Sequence, residues 1–221
     1  MQLTYLGKRK TLGERLSKQT HDDPIAVIDL ICLSRQEARD FASTALAETP
    51  PPHSLVLLSA KSGGRESADL IKYYTELEHI VRTHVKPTGV QVRTLLAPAV
   101  IEELSPYLTA SGKIFGSYPE SAMPWVTTAD LASAVTTIQE TPDAASSAVP
   151  ATLTASVEQA LSHLAGRKVK RISYHHLPPN ILADAFRQRG LSKNDSQVAD
   201  QLPYYQYHVG HLPQTNAKER L

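Results

Sequence analysis

This 221-residue chain is short of everything that staples or anchors a protein. Its one cysteine, Cys32, excludes an intramolecular disulfide; it sits in the apolar run 26–33 and reads as a packed thiol in a reducing compartment. Neither sign of charge dominates: 23 Lys and Arg stand against 22 Asp and Glu, a net charge of +1, so no global field draws nucleic acid or an anionic membrane. No stretch approaches the roughly 20 apolar residues that cross a bilayer, and the N-terminus opens on a polar-interrupted strand instead of a signal sequence. There is no internal repeat and no low-complexity tract. A cytoplasmic protein follows as the expectation, long enough for one large domain or a sheet with a smaller attachment.

What is present is an alternation of strands and helices. Gln2–Leu6 reads as a strand, Gly7 as a turn, and the basic segment 8–16 as a helix with Leu12 and Leu16 on one side. The run 25–33 is β-branched and almost wholly apolar, the mark of a strand covered on both faces. Ser34 and Glu37 form a capping box for a helix carrying Ala38, Phe41, Ala42, Ala45 and Leu46, which Pro50-Pro51-Pro52 ends. A second buried strand spans 54–60, a helix spans 67–84, Gly89 closes that unit, and a strand spans 90–97. Such spacing predicts βαβ crossovers in a doubly wound, mainly parallel α/β sheet.

Beyond Pro98 the texture changes. Short helices are expected at 101–108, 130–139 with Asp130 as cap, 154–164 with Thr154 as cap and Gly166 at its end, 179–189 and 192–202. Residues 112–116 read as a strand or turn, 140–150 as a surface loop, 168–174 as an edge-like strand, and the tail after Gly210 as frayed. The domain reading is a shortened Rossmann-like domain at 1–140 and a small α-rich, substrate-covering region at 141–221.

Four segments stand in the order found in the NmrA-like, atypical short-chain dehydrogenase/reductase family: Leu55–Ala60; Tyr74–Glu78 through Gly89–Pro98; Pro124–Ala132; and Leu153–Thr154 through Gly166–Val169. Over residues 54–170 the chain resembles that family. Leu6-Gly7-x-Arg9 with Lys10-Thr11 and Arg15-Leu16 also resembles the first turn of its ergot-alkaloid festuclavine and agroclavine reductase branch. The resemblance implies an NAD or NADP cofactor on the sheet. Where the family's first turn carries three glycines, this chain has Gly7, Lys10 and Gly13; Lys8, Arg9 and Lys10 can attract phosphates there, or form a solvated basic turn. Only about ten residues separate the first helix from the strand at 25–33, where the family places two further strands and a helix, so at least one unit is missing. That region normally holds the adenosine-ribose contact, and its loss leaves the choice between NAD and NADP open.

Chemistry candidates follow from position. Tyr74 is the candidate proton donor, with Glu78 rather than lysine at i+4; the alternative is an amphipathic tyrosine packed at a helix edge. Ser59, Ala60, Lys61 and Ser62 end a strand where ligands of open α/β sheets bind, Ser59 as a second catalytic candidate and Ser62 toward substrate, or else as loop caps. Gly7, Arg9, Lys10, Thr11, Gly13, Ser34, Ala60, Lys61, Pro98 and Ala99 are the cofactor-binding candidates. Met123 and the only tryptophan, Trp125, are candidates for an apolar substrate wall, or for core. His175-His176 lack a third ligand, so no metal is expected, and the cluster at Tyr204, Tyr205 and Tyr207 can cover a substrate or an oligomer surface. The expected partner is a small-molecule substrate, with no nucleic acid and no membrane, for a monomer or homodimer.

Three functions fit. One is an NAD(P)H-dependent reductase of a small hydrophobic or alkaloid-like metabolite in secondary metabolism. The second is a non-catalytic nucleotide-sensing regulator. The third is a shortened relative that no longer takes nucleotide.

Overall fold

A computed structural model describes residues 3–19, 23–31, 33–60, 68–107, 112–116, 118, 122–140, 145–165, 172–178 and 181. Four strands and three helices alternate first: β1 (Thr4–Leu6), α1 (Lys10–Leu16), β2 (Ile25–Asp29), α2 (Arg35–Leu46), β3 (Ser54–Ala60), α3 (Ala68–Val85) and β4 (Gln91–Ala97). With β8 (Ser146–Ala148) they form a sheet of order β1-β2-β3-β4-β8 in which every pair is parallel. β1 lies at the edge and pairs directly with β2, so among the described residues no further strand flanks it.

The apolar runs are explained by double coverage. On one face Leu12 and Leu16 of α1 and Leu131, Val135 and Ile138 of α4 (Thr128–Glu140) pack with Val27, Val56, Leu58 and Leu95. On the other, Ala38, Ala42 and Ala45 of α2 and Leu77 and Val81 of α3 pack with Ala26, Ile28, Leu55 and Leu57. Neighbouring residues of β2 and β3 thus enter different cores, as the two-residue strand period requires. The doubly wound α/β architecture expected from the sequence is the observed one. α1 leaves β1 toward one face and α2 leaves β2 toward the other, so a crevice opens between the carboxyl ends of β1 and β2, although the strand order does not reverse there.

After β4 the chain enters a second, three-stranded sheet, in which β5 (Ala99–Val100) pairs in parallel with β7 (Met123–Val126) and β7 pairs antiparallel with β9 (Leu153–Ala155). β6 (Lys113–Gly116) and β10 (Ser173–His176) form a parallel pair, and α5 (Val157–Ala165) packs beside the 3-10 segment 101–107. Met123, Trp125, Val157 and Leu161 belong to the same buried cluster as the α2–α3 face, so one core runs from the main sheet into this region. No helix among the described residues is long and apolar enough to cross a membrane.

Several local expectations are met or corrected. Ser34 does cap α2: its Oγ accepts from the Glu37 N–H at 3.2 Å, and Glu37 accepts from the Ser34 N–H at 2.8 Å. The strand expected at 25–33 ends at Asp29, whose carboxylate turns back to accept from the Ile31 N–H. The expected loop 140–150 contains β8, which Thr94 and Leu96 hold through backbone bonds; its small side chains carry no pattern. Thr127, not Asp130, caps α4, and Asp130 answers from the first turn; likewise Ser156, not Thr154, caps α5. Cys32, Gly166, the helix at 192–202, all but Ile181 of that at 179–189, Tyr204, Tyr205 and Tyr207, and the tail lie outside the described residues.

Gly13 sits inside α1, where glycine is normally worse than alanine by about 1 kcal/mol. A Cβ built there would lie 2.6 Å from Tyr5 Cδ1, part of a ring that cannot give way easily. Overlap of that kind costs about 1–3 kcal/mol and outweighs helix propensity. Gly13→Ala is therefore expected to lower the free energy of unfolding in denaturant by about 1 kcal/mol, and to raise it in a Tyr5→Ala background. A stabilising effect in the native background would refute the contact.

Candidate functional site

The carboxyl ends of the main-sheet strands line one edge, where ligands of open α/β sheets settle. Leu6 pairs with Ile28, Asp29 with Leu58 and Ala60 with Ala97, so the turn after β1, the end of β2, Ala60 and Pro98 succeed one another along that edge. Between β1 and β2 it carries an ion cluster.

Its centre is Asp29, the last residue of β2, which is fully buried. The carboxylate accepts from four donors: Arg9 Nε and Tyr5 Oη (2.7 Å) on Oδ2, and Arg9 Nη2 (2.9 Å) and the Ile31 N–H (3.2 Å) on Oδ1. Arg9 also donates from Nη1 to Glu103 at 3.0 Å, and its side chain is only 8% exposed. Burial opposes the guanidinium charge, but Asp29 and Glu103 more than offset it and hold Arg9 protonated. Burial and then the Asp29 charge push the Tyr5 phenol far up, so it remains a donor. Glu103 is pushed above the usual carboxylate range, chiefly by burial and then, against the pull of Arg9, by Asp29. Removing either partner of the buried Arg9–Asp29 pair costs about 3–5 kcal/mol, because the other charge is stranded.

The rest of the first turn faces elsewhere. Lys8 pairs with Glu37 at 2.5 Å, while the Lys10 side chain is 88% exposed, 3.9 Å from Glu14. Thr11 is exposed. A diphosphate at a strand–helix turn calls for a glycine bare toward the ligand, free N–H groups and free positive charge. Here a Cβ on Gly7 would lie 2.6 Å from both Asp29 Cβ and Tyr5 Oη, so its bareness serves packing against protein, as that of Gly13 does. The Arg9 N–H donates to Tyr5 Oη at 3.2 Å, and its guanidinium is matched by two carboxylates. As placed, the turn does not fit a diphosphate.

Ala60 and Pro98 do lie on the edge, half-buried and buried. Ser34 is half-buried in its capping box. Ser59 is 2% exposed within β3, and Ala99 is buried in register with Trp125. Tyr74 is 3% exposed in the core, edge-on to Tyr73 at 5.8 Å, and Glu78 accepts from the Thr94 hydroxyl at 3.2 Å. Met123 and Trp125 are buried; the indole N–H donates to the Ala155 carbonyl at 2.9 Å and its ring tilts against Tyr118. Lys61 and Ser62 lie outside the described residues. His175 and His176 end β10 on the surface, and among the described residues no group of three metal-ligating side chains gathers. Glu102, beside Glu103, accepts from the Thr128 N–H at 2.9 and 3.0 Å, which adds another carboxylate to the same neighbourhood.

Tyr5, Asp29 and Glu103 were not among the residues the sequence singled out. One signal was available: Asp29 is the only acid in the apolar run 25–33, and a buried carboxylate needs a cation.

No family model matches the chain, and no curated protein matches it in sequence. Its likeness to solved structures is one of fold. An NADPH-dependent quinone oxidoreductase from Escherichia coli superposes with a TM-score of 0.56 at 18% identity, over 84% of this chain and 64% of its own. A nucleoside-diphosphate-sugar epimerase from Staphylococcus aureus gives 0.59 at 11% identity, over 95% and 90%. NmrA, a negative transcriptional regulator solved with NADP, gives 0.51 at 14% identity, over 84% and 60%. The chain thus spans less than two thirds of the oxidoreductase and of NmrA. These structures carry the Rossmann-like fold of the NmrA-like group; they do not single out the ergot-alkaloid branch.

The cluster has a pH signature. The folded-state pKa of Glu103 lies above its unfolded value, so its favourable contribution is complete below the unfolded value, near 4.3, and is lost as pH rises through the folded one. Glu103→Gln is expected to match the parent in thermal stability near pH 4 and to exceed it at pH 7. A parent more stable than the variant at pH 7 would show that the contact with Arg9 outweighs the burial of the Glu103 carboxylate.

Proposed function

We propose that this chain is a non-catalytic protein built on the NmrA-like fold, acting through a binding partner instead of by hydride transfer. One observation carries the reading: Tyr74, the candidate proton donor, faces the hydrophobic core at 3% exposure, away from any surface where a substrate could reach it. A general acid has to come within hydrogen-bond reach of the reacting atom. The absence of lysine at i+4 agrees, since the place is held by Glu78, which Thr94 engages. NmrA, described as a transcriptional regulator, shows that this fold is put to regulatory use. The net charge of +1 favours a protein partner over nucleic acid or membrane.

The reductase reading draws on the fold shared with the NADPH-dependent quinone oxidoreductase, with NADPH or NADH as cofactor and a small hydrophobic molecule, alkaloid-like or otherwise, as substrate. Loss of absorbance at 340 nm separates the two. With NADPH or NADH and a panel of quinones, enones and imines, no substrate-dependent oxidation above background is expected, and Tyr74→Phe should leave that background unchanged. Saturable turnover that falls about a hundredfold or more in Tyr74→Phe, the size of a general-acid contribution, would establish the reductase and end the non-catalytic reading.

A further inference from the structure

We infer that the crevice between β1 and β2 is closed to dinucleotides, with the Arg9 side chain as its built-in occupant. The inference rests on the non-catalytic reading above and deepens it, by stating what this site does in place of binding a cofactor. The crevice lies where α1 and α2 leave for opposite faces of the sheet, the place where such folds take nucleotides. Arg9 crosses it from the first turn to the end of β2 and on to Glu103, tying together segments distant in sequence. Every acceptor site used on Asp29 is matched by a donor from the chain itself, and the carboxylate has no contact with solvent.

A diphosphate entering here would bring negative charge toward Asp29 and Glu103. Among the described residues of the crevice, the cation it would meet is Arg9, and drawing Arg9 away would leave Asp29 buried and uncompensated. The two lysines of the turn lie outside the crevice: Lys8 is held by Glu37 on α2, and Lys10 projects into solvent. The bare sides of Gly7 and Gly13, which would admit a ligand, face the Tyr5 ring, and that of Gly7 also Asp29. Steric closure and charge balance therefore act in the same direction, and neither depends on Lys10.

The test is made on the full-length protein, labelled with nitrogen-15. The side-chain Nε–H signal of Arg9, assigned by its disappearance in Arg9→Lys, is followed during titration with NADPH and with NADH to millimolar concentration. Melting temperature is read on the same samples. Millimolar nucleotide is about a thousandfold above the Kd of a micromolar site and would raise the melting temperature by several degrees. The expected result is an unmoved, exchange-protected Arg9 signal and no shift in melting. Saturable binding that moves or broadens the Arg9 signal overturns the inference; without turnover, it leaves the non-catalytic reading standing. Turnover of a quinone or enone with the Arg9 signal unmoved does the reverse.

Discussion

The carboxylate of Asp29, buried at the end of an interior strand, is the constraint around which the front of this molecule is arranged. An isolated ionised carboxylate is too costly to leave in an apolar interior, so donors have to come to it. Arg9 supplies a two-point contact with the geometry a guanidinium fork fits best, Tyr5 a hydroxyl, and the backbone at Ile31 the fourth bond. Each donor imposes a condition on its neighbours. Tyr5 can reach Asp29 only by lying across the start of α1, and that demands glycine at positions 7 and 13. Arg9 can reach it only if the backbone before α1 turns that residue inward while Lys10 begins the helix facing out.

The sheet makes this arrangement possible. Because β1 and β2 are neighbours in parallel register, Leu6 and Ile28 end side by side, and the turn after β1 passes directly over the end of β2. The same pairing leaves β1 at the sheet edge, so the polar cluster is bounded by protein on the β2 side and by the 3-10 segment bearing Glu103. Beyond it the two aliphatic cores continue on either face, and the sequence between β4 and β10 extends one of them into the smaller sheets. Polar and apolar parts thus have different tasks: the cores hold the layers together, and the ion cluster fixes how the first turn meets the second strand.

What could be read from the sequence divides by range. β2 and β3 were legible because strands covered on both faces must be continuously apolar, and the α2 capping box because its partners stand three residues apart. β8 was not, since Ser146, Ser147 and Ala148 join the sheet by backbone bonds that leave no side-chain pattern. Tyr74 was identified by its spacing to Glu78, but whether a helix residue faces core or cleft is decided by packing that spacing does not encode. Lys8, Arg9 and Lys10 look alike in sequence; the turn sends them respectively to Glu37, to Asp29 and to solvent. Arg9 and Asp29 are 20 positions apart and meet only because a crossover intervenes.

The likeness to nucleotide-dependent proteins therefore has to be weighed against the residues at the crevice. Fold places a crevice between β1 and β2; side chains decide what can enter it. In this chain the features that usually mark a phosphate turn, two glycines and a run of cations before a helix, are all present, yet each has an internal partner or faces solvent. A glycine shows that something approaches the backbone closely without saying whether it is ligand or protein, and at Gly7 and Gly13 the close neighbour is Tyr5. The same logic applies to the charge: a guanidinium matched by two carboxylates contributes little net attraction to an incoming anion, however basic the local sequence looks. A first turn of this composition can thus be kept for the sake of Asp29 alone.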